Sequence, residues 1–363
     1  MSRQILDSRL NSQRARGAMP SNRRPPRATL RDVAAHSDVS LQTVSNVVNG
    51  RWDQMSDVTK QRVQLALAEL SYHPSVAGRS LRLSRLHALG IVIPGALPPA
   101  HFNPMLHLIM GGLNEVARES GYGILIEIGS SPTADSKDIA SLLANRMDGA
   151  FLMGWESVPE PRRWLTSVIE RHLPVILLFN NGGTELPSVT ADNYGGSYQL
   201  VEVLVAKGHR RIGFVSADAD YFSMIQDRHR GYRDALANAG IRPSPQMEIL
   251  DGSWDPHHGR SAAAQLLGLD QPPTAIVAAN DYLAMGVMSE VKARGLRIPA
   301  DIAVTGFNDF DFSSFLDPPL TTVAFPGYEV GRIAAHTLIQ IVEGRPTPEH
   351  VVLPVTVRLR NST

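Results

Sequence analysis

There is no cysteine among the 363 residues, which removes disulfide scaffolds and thiolate metal sites and is compatible with a reducing cytoplasm. No apolar run approaches the roughly 20 residues that a membrane-spanning helix needs. The first residues, MSRQILDSRLNSQRARGAMPSNRRPPRA, are basic but lack the apolar segment of a secretory signal. Aromatic residues are sparse at 6%, but a hydrophobic share of 43% with 19% charged residues is that of a globular protein, not a disordered or fibrous one. Neither charge sign is in excess, since 35 Lys+Arg balance 35 Asp+Glu. That balance is uneven along the chain. Residues 1–87 carry 14 basic against 6 acidic side chains, which leaves 21 against 29 for residues 88–363. A basic head on an acidic body suits a head that meets a polyanion and a body that does not.

Signatures of catalysis are missing as well. The sequence contains no Gly-x-Ser-x-Gly elbow, no Walker loop and no His-Glu-x-x-His pair. Gly111-Gly112, Gly182-Gly183 and Gly195-Gly196 read as turns or helix starts, none of them inside a dinucleotide fingerprint. His257 and His258 are adjacent, and adjacent side chains diverge on a helix or a strand, so they make a poor ligand pair. The reading is a non-enzyme with no metal and no cofactor.

The local signals give three kinds of segment. Residues 1–27, rich in Arg, Ser, Asn and Pro, read as a disordered basic tail. Over 28–73 the pattern is three short helices. Thr29 with Asp32 resembles a capping box, and Leu30, Val33 and Ala34 form the stripe of a helix that ends near His36. Ser40 caps a second helix over 41–48 with Val44, Val47 and Val48 inward, and Asn49-Gly50 stops it. Ser56 caps a third, with Val63, Leu67 and Leu70 inward. Two helices joined by so short a break form a helix-turn-helix, whose second helix presents its N-terminal side chains to the major groove. Those are Leu41, Gln42 and Asn46: an apolar contact for a thymine methyl and two carboxamides suited to adenine.

Residues 74–87 read as a hinge helix and linker, too short to be stable alone. From residue 88 onward, short apolar runs at 89–94, 123–128, 149–153, 175–179, 211–216, 275–278 and 302–305 alternate with helical stretches. That rhythm predicts doubly wound parallel sheets, whose ligands bind beyond the carboxyl ends of the strands. Asn280-Asp281 and Asn308-Asp309 follow such runs.

The segments TLRDVAAHSDVSLQTVSNVVNG, ELSYHPSVAGRSL, VAKGHRRIGFV, AANDYLAMGVM and VTGFNDFDFSSFLDPPLTTV, in that order, resemble the LacI family of bacterial transcription regulators from about residue 29 to the end. The resemblance implies an all-α helix-turn-helix headpiece, a hinge helix and an α/β core of two periplasmic-binding-protein-like subdomains. The core would comprise residues 88–363, one subdomain at about 88–191 with 324–348 and the other at about 192–323 with 349–363. Leu41, Gln42 and Asn46 fall where the family reads bases, with Thr29, Thr43 and Ser45 as further DNA-contact candidates. Asn46 departs from the usual Arg, Ser75 from the usual Asn, and Asp38 from the usual Gly of the turn. Asp tolerates the left-handed conformation, so the turn is expected to survive. Leu81 matches the hinge leucine that wedges into the minor groove.

For the effector, the resemblance implies Arg228 as the fork that holds a hydroxyl or carboxylate, Asn280 beside it and Trp254 as a stacking surface. Asn308 stands where relatives carry an Asp that grips sugar hydroxyls, and Phe179 also replaces a common Asp. Asn103 and Met105 belong to a segment resembling the family's pocket-mouth motif. The function expected on these grounds is a cytoplasmic homodimeric repressor on a pseudo-palindromic DNA operator, relieved by a sugar or sugar acid. The alternatives are a corepressor-dependent repressor that senses a nucleobase-like ligand, and a solute-binding protein.

Overall fold

Thr29 opens the first helix of the computed structural model through a reciprocal cap. Its hydroxyl accepts the Asp32 N–H, and the Asp32 carboxylate accepts the Thr29 N–H at 2.7 Å, which satisfies donors that the first turn of a helix leaves over. The structure describes residues 28–72 except 49, 53 and 54, then 85–93, 104–128, 141–156 except 142, 144 and 155, 161–179, 184–217 and 222–363. The readings for residues 1–27, the hinge, Leu81 and Asn103 lie outside the described residues. The chain divides into two units, one ending at Ser84 and one beginning at Arg85.

The first unit contains α1 (Leu30–His36), α2 (Leu41–Val48) and α3 (Asp57–Glu69). The break between α1 and α2 is held by the Ser37 hydroxyl, which donates to Val33 O at 2.6 Å, and by Asp38 at φ 47°. Arg62 of α3 donates to the Asp38 carbonyl at 3.3 Å and so fastens the third helix to this turn. Val33, Val44, Val47, Val63 and Ala66 form the core, with Leu30, Ala34, Val48, Leu67 and Leu70 around it. Because a left-handed backbone penalises a branched Cβ, Asp38→Val is expected to destabilise this unit by about 1–2 kcal/mol, and Asp38→Gly to be near neutral. The circular-dichroism melt of the full chain, compared between the two variants, reads the difference.

The second unit has two parallel sheets. The first has the order β2 (Gly123–Ile128), β1 (Ala88–Ile93), β3 (Gly149–Leu152), β4 (Val175–Leu178), β5 (Ser188–Ala191) and β11 (His350–Leu353). The second has β7 (Glu248–Ile249), β6 (Ile212–Val215), β8 (Ala275–Ala278) and β9 (Ala303–Thr305). Strands β3, β4, β5, β6 and β8 are four residues long and buried throughout, as strands covered on both faces must be. Helices α4 (Pro104–Glu119) and α10 (Gly327–Val342) pack together on the first sheet, with α5 (Pro161–Glu170) also in this lobe. The second lobe pairs α6 (Asn193–Ala206) with α7 (Ser223–Asn238), and α8 (Pro256–Leu266) with α9 (Asp281–Ala293).

The chain passes between the lobes after β5, at β10 (Thr322–Ala324) and again between β11 and β12 (Thr356–Arg358), the last of which pairs antiparallel with β10. The final segment differs from the sequence expectation, which gave residues 349–363 to the second subdomain. His350–Leu353 is hydrogen-bonded to β5 of the first sheet, with His350 opposite Ser188 and Leu353 opposite Ala191. Val351 and Leu353 face inward while His350 and Val352 are exposed, the alternation of an edge strand. Pro354 ends it, and only then does the chain cross over.

Close helix pairing in the second lobe depends on missing side chains. A Cβ at Gly286 of α9 would run into the carbonyl oxygen of Pro256, and one at Gly259 of α8 into that of Leu283. Neither obstacle is a flexible side chain that could swing away. Gly286→Ala is therefore expected to lower stability by about 1–3 kcal/mol, read as a lower urea midpoint at unchanged slope.

Candidate DNA-reading face and ligand cavity

In the first unit, Leu41 is 46% exposed and Gln42 is exposed at the start of α2, while Thr43, Ser45 and Asn46 are half-buried. Gln42 Nε2 donates to Asn46 Oδ1 at 3.0 Å, so the two carboxamides lie on one face, one turn apart. Thr43 is engaged with Ser40, its backbone N–H donating to the Ser40 hydroxyl at 3.1 Å and the two hydroxyls lying 2.8 Å apart. Thr29 is likewise occupied by its cap, which gives its exposed hydroxyl a structural task.

In the second unit a cavity of about 340 Å³ opens between the lobes, at the carboxyl ends of the strands. The first lobe supplies Met105 and Leu106 of α4, Met153, Gly154 and Glu156 after β3, and Leu178 and Phe179 at the end of β4. The second supplies Phe222, Met224 and Arg228 around α7, Trp254 to Pro256 before α8, Asn280 and Tyr282 at the start of α9, and Asn308 after β9. Of the residues singled out from sequence, Met105, Phe179, Arg228, Trp254, Asn280 and Asn308 thus share one cavity wall.

Arg228 is the centre of the polar end. It is only 2% exposed, donates through Nε to Asn193 Oδ1 at 2.9 Å and through its terminal nitrogens to Ala279 O and, at 3.4 Å, to Asn308 Oδ1. Its guanidinium lies 3.7 Å from the centre of the Phe307 ring. Burial pulls it down to about 9, opposed by the charge of Asp281, so it remains protonated at neutral pH. Asn308 is held at φ 111° by its own N–H to Val323 O at 2.8 Å, which binds this loop to the crossing strand β10. Phe179 also has a left-handed backbone, φ 67°, and rests against Phe325 at 5.7 Å between ring centres. Asn280 is the N-cap of α9, accepting the Leu283 N–H at 2.7 Å, so its carboxamide oxygen is committed to the helix. Trp254 meets Phe222 edge to face at 5.9 Å.

Behind this wall, Asp281 is fully buried. It accepts the Thr322 hydroxyl at 2.6 Å and the Phe310 N–H at 2.8 Å. Burial raises its carboxyl to about 7 against those hydrogen bonds.

Sequence reasoning missed Glu156, Phe222, Met224 and Tyr282. Tyr282 stood two residues beyond Asn280 after a strand, so the rule that found Asn280 reaches it. Glu156 had no local signal. It crosses the cleft: the Ser223 hydroxyl donates to Glu156 Oε1 at 3.0 Å, at the start of α7, a helix that has no side-chain cap from its own N-cap residue, Phe222. His257 and His258 open α8, both backbone N–H groups donating to Asp255.

A family model described as bacterial regulatory proteins, lacI family, matches residues 29–75, and one described as a periplasmic binding protein-like domain matches residues 201–363. The HTH-type transcriptional repressor CytR of Escherichia coli is 32% identical over 332 residues, covering 90% of this chain and 93% of that protein. The ribose operon repressor of Haemophilus influenzae is 30% identical over 341 residues, 92% and 98% of the two chains. Among solved structures, the lac repressor dimer bound to operator and the anti-inducer ONPF matches with a TM-score of 0.80 at 28% identity, covering 92% of this chain and 98% of that one. The CelR–cellobiose complex matches at 0.70 and 28%, covering 93% and 100%. These relatives are regulators of transcription and not enzymes. The chain accordingly belongs to the LacI family, the DNA-binding transcriptional repressors that answer to a small-molecule effector.

Proposed function

We propose that this protein is a cytoplasmic homodimeric repressor that holds a pseudo-palindromic operator and leaves it when a small ring-shaped effector, with a sugar acid as the first reading, fills the cleft. Base reading falls to Leu41, Gln42 and Asn46, Thr29, Thr43 and Ser45 contact DNA beside them, and Leu81 wedges at the operator centre. The effector contacts are Met105, Phe179, Arg228, Trp254, Asn280 and Asn308, with Asn103 at the mouth. Among the described residues no helix is long and apolar enough to cross a membrane.

The observation that carries the reading is that one cavity draws its walls from both lobes, which Glu156 and Ser223 already join across the cleft. A ligand there interacts differently with open and closed forms, and such a difference is what shifts a conformational equilibrium. Operator and effector affinities must then be coupled reciprocally. Half-buried Trp254 on the cavity wall favours a second reading, a nucleobase-like corepressor stacked on the indole.

The test is fluorescence anisotropy of the full-length protein on an operator selected from a random DNA pool, titrated with gluconate, glucose, adenine and cytidine. Release on addition of a small ligand, not tightening, is the expected result, and the sugar acid and sugar are the first ligands to try. Tightening by adenine would replace it with the corepressor reading, and failure to select any DNA would overturn both.

A further inference from the structure

Arg228 is a buried cation to which no described carboxylate is hydrogen-bonded, although buried Asp281 acts on it through its charge. Its three hydrogen bonds go to neutral oxygens, those of Asn193, Ala279 and Asn308. A guanidinium has five N–H donors, so two are left over on a group that lines the cavity. The carboxylates nearby are committed elsewhere. Asp281 is bonded to Thr322 and to the Phe310 N–H. Asp255 accepts the N–H groups that open α8 and the Ser253 hydroxyl. Glu156 accepts the Ser223 hydroxyl at the start of α7. The cavity therefore has a cationic end at Arg228 and, elsewhere on its wall, carboxylates held by partners of their own.

Between these ends the wall is apolar: Met105, Met153, Leu178, Phe222, Met224 and Trp254. A polyhydroxylated body would exchange its hydrogen bonds to water for contact with thioether and aromatic groups, which is unfavourable for every hydroxyl left unpaired. A flat or chain-like apolar body loses nothing there and gains burial.

Resting on the reading of this cavity as the effector site, we propose that the effector is a monocarboxylate with an apolar, ring-bearing body: its carboxylate binds the two unused N–H donors of Arg228, and its ring lies among Phe222, Met224 and Trp254. Charge-assisted, forked bonds from a guanidinium to a carboxylate are stronger and more directional than bonds to a hydroxyl, more so where water is excluded. The carboxamide of Asn308 keeps this end receptive to an anion. An acidic side chain at the same position would neutralise Arg228 internally and repel a carboxylate.

The experiment uses the full-length protein in thermal-shift and calorimetric titrations with benzoate, phenylacetate and 3-phenylpropionate, each against its primary amide, with gluconate and glucose alongside. At least one of the three acids is expected to bind at least tenfold more tightly than its amide and than glucose. In Asn308→Asp, whose unliganded melt reports intact folding, that acid is expected to lose at least tenfold in affinity while its amide changes little. Amides equal to acids, binding by glucose or gluconate but by none of the aromatic acids, no binding at all, or an unchanged acid affinity in Asn308→Asp would each overturn the proposal. Operator titrations run in parallel separate the two levels. Release of operator DNA by glucose or a nucleoside alone would refute the carboxylate while leaving the repressor reading intact, whereas operator binding indifferent to every ligand would refute the sensing role of the cleft itself.

Discussion

Asn46→Ala is expected to weaken operator binding by about 1–3 kcal/mol, a factor of roughly 5 to 150 in affinity, and to relax preference at one base pair of each half-site. The size follows from what a carboxamide does at a base edge, where it donates and accepts at once. In the folded headpiece Asn46 is already paired with Gln42 one turn earlier, at 3.0 Å. Removing it also frees Gln42, so the effects of Gln42→Ala and Asn46→Ala should not add. Neither residue carries charge, and the dependence of affinity on salt should keep its slope, because that slope counts neutralised phosphates. Anisotropy titrations at several salt concentrations, on the selected operator and on single-base variants of it, give both quantities. A uniform loss across all sequences with a shallower slope would remove Asn46 from the base-reading set.

The core is expected to lose stability as pH rises through neutrality, and Asp281 is the cause. Its carboxyl sits at about 7 in the folded protein, against an ordinary value of 3.8. Between those values the native state holds a proton that the unfolded chain has released. Stability therefore falls with increasing pH across that interval, and the contribution is fully present only below the unfolded value. The full linkage amounts to about 4 kcal/mol, of which roughly 2–3 kcal/mol is lost between pH 5 and pH 8. Other groups titrate too, so the measurement is the difference between wild type and Asp281→Asn in urea unfolding at pH 5, 6, 7 and 8. The advantage of wild type should shrink along that series. Curves that stay parallel would mean that Thr322 and the Phe310 N–H keep Asp281 ionised throughout. The position matters for more than stability, since Thr322 belongs to the strand that joins the lobes and Phe310 follows the loop of Asn308.

The three helices of the headpiece were legible because their signals are local. Thr29, Ser40 and Ser56 mark the starts, Asp38 permits the left-handed turn, and Val33, Val44, Val47 and Val63 repeat with the helical period. The seven short apolar runs of the core were legible for a similar reason, since a strand buried on both faces must be apolar throughout, although β2 at the sheet edge is largely exposed. Strand β5, Ser-Val-Thr-Ala, was not, because its alternating hydroxyls look like a loop until the sheet is assembled around them. Residues 350–353 were grouped with the second subdomain because β11 and β12 carry the same alternating pattern, and only the pairing partner distinguishes them.

The cavity divides along the same line. Asn280 and Asn308 follow strands, and strand ends are where doubly wound sheets bind ligands, so sequence position was enough to find them, whereas Phe179 came from the family resemblance. Sequence by itself determined the family, through the resemblance of its ordered segments, and the class of fold, the headpiece helices and the strand-end positions of Asn280 and Asn308, because caps, periodicity and strand ends depend on neighbours a few residues away. Tertiary structure alone decided what those groups have left to offer. It committed the Asn280 oxygen to a helix N-terminus, buried Asp281 behind the wall, gave Arg228 only neutral oxygens as hydrogen-bond partners and brought Glu156 across the cleft to Ser223. These are outcomes of burial and of contacts between residues far apart in the chain, and no local pattern encodes which hydrogen bonds remain unmade once the lobes meet.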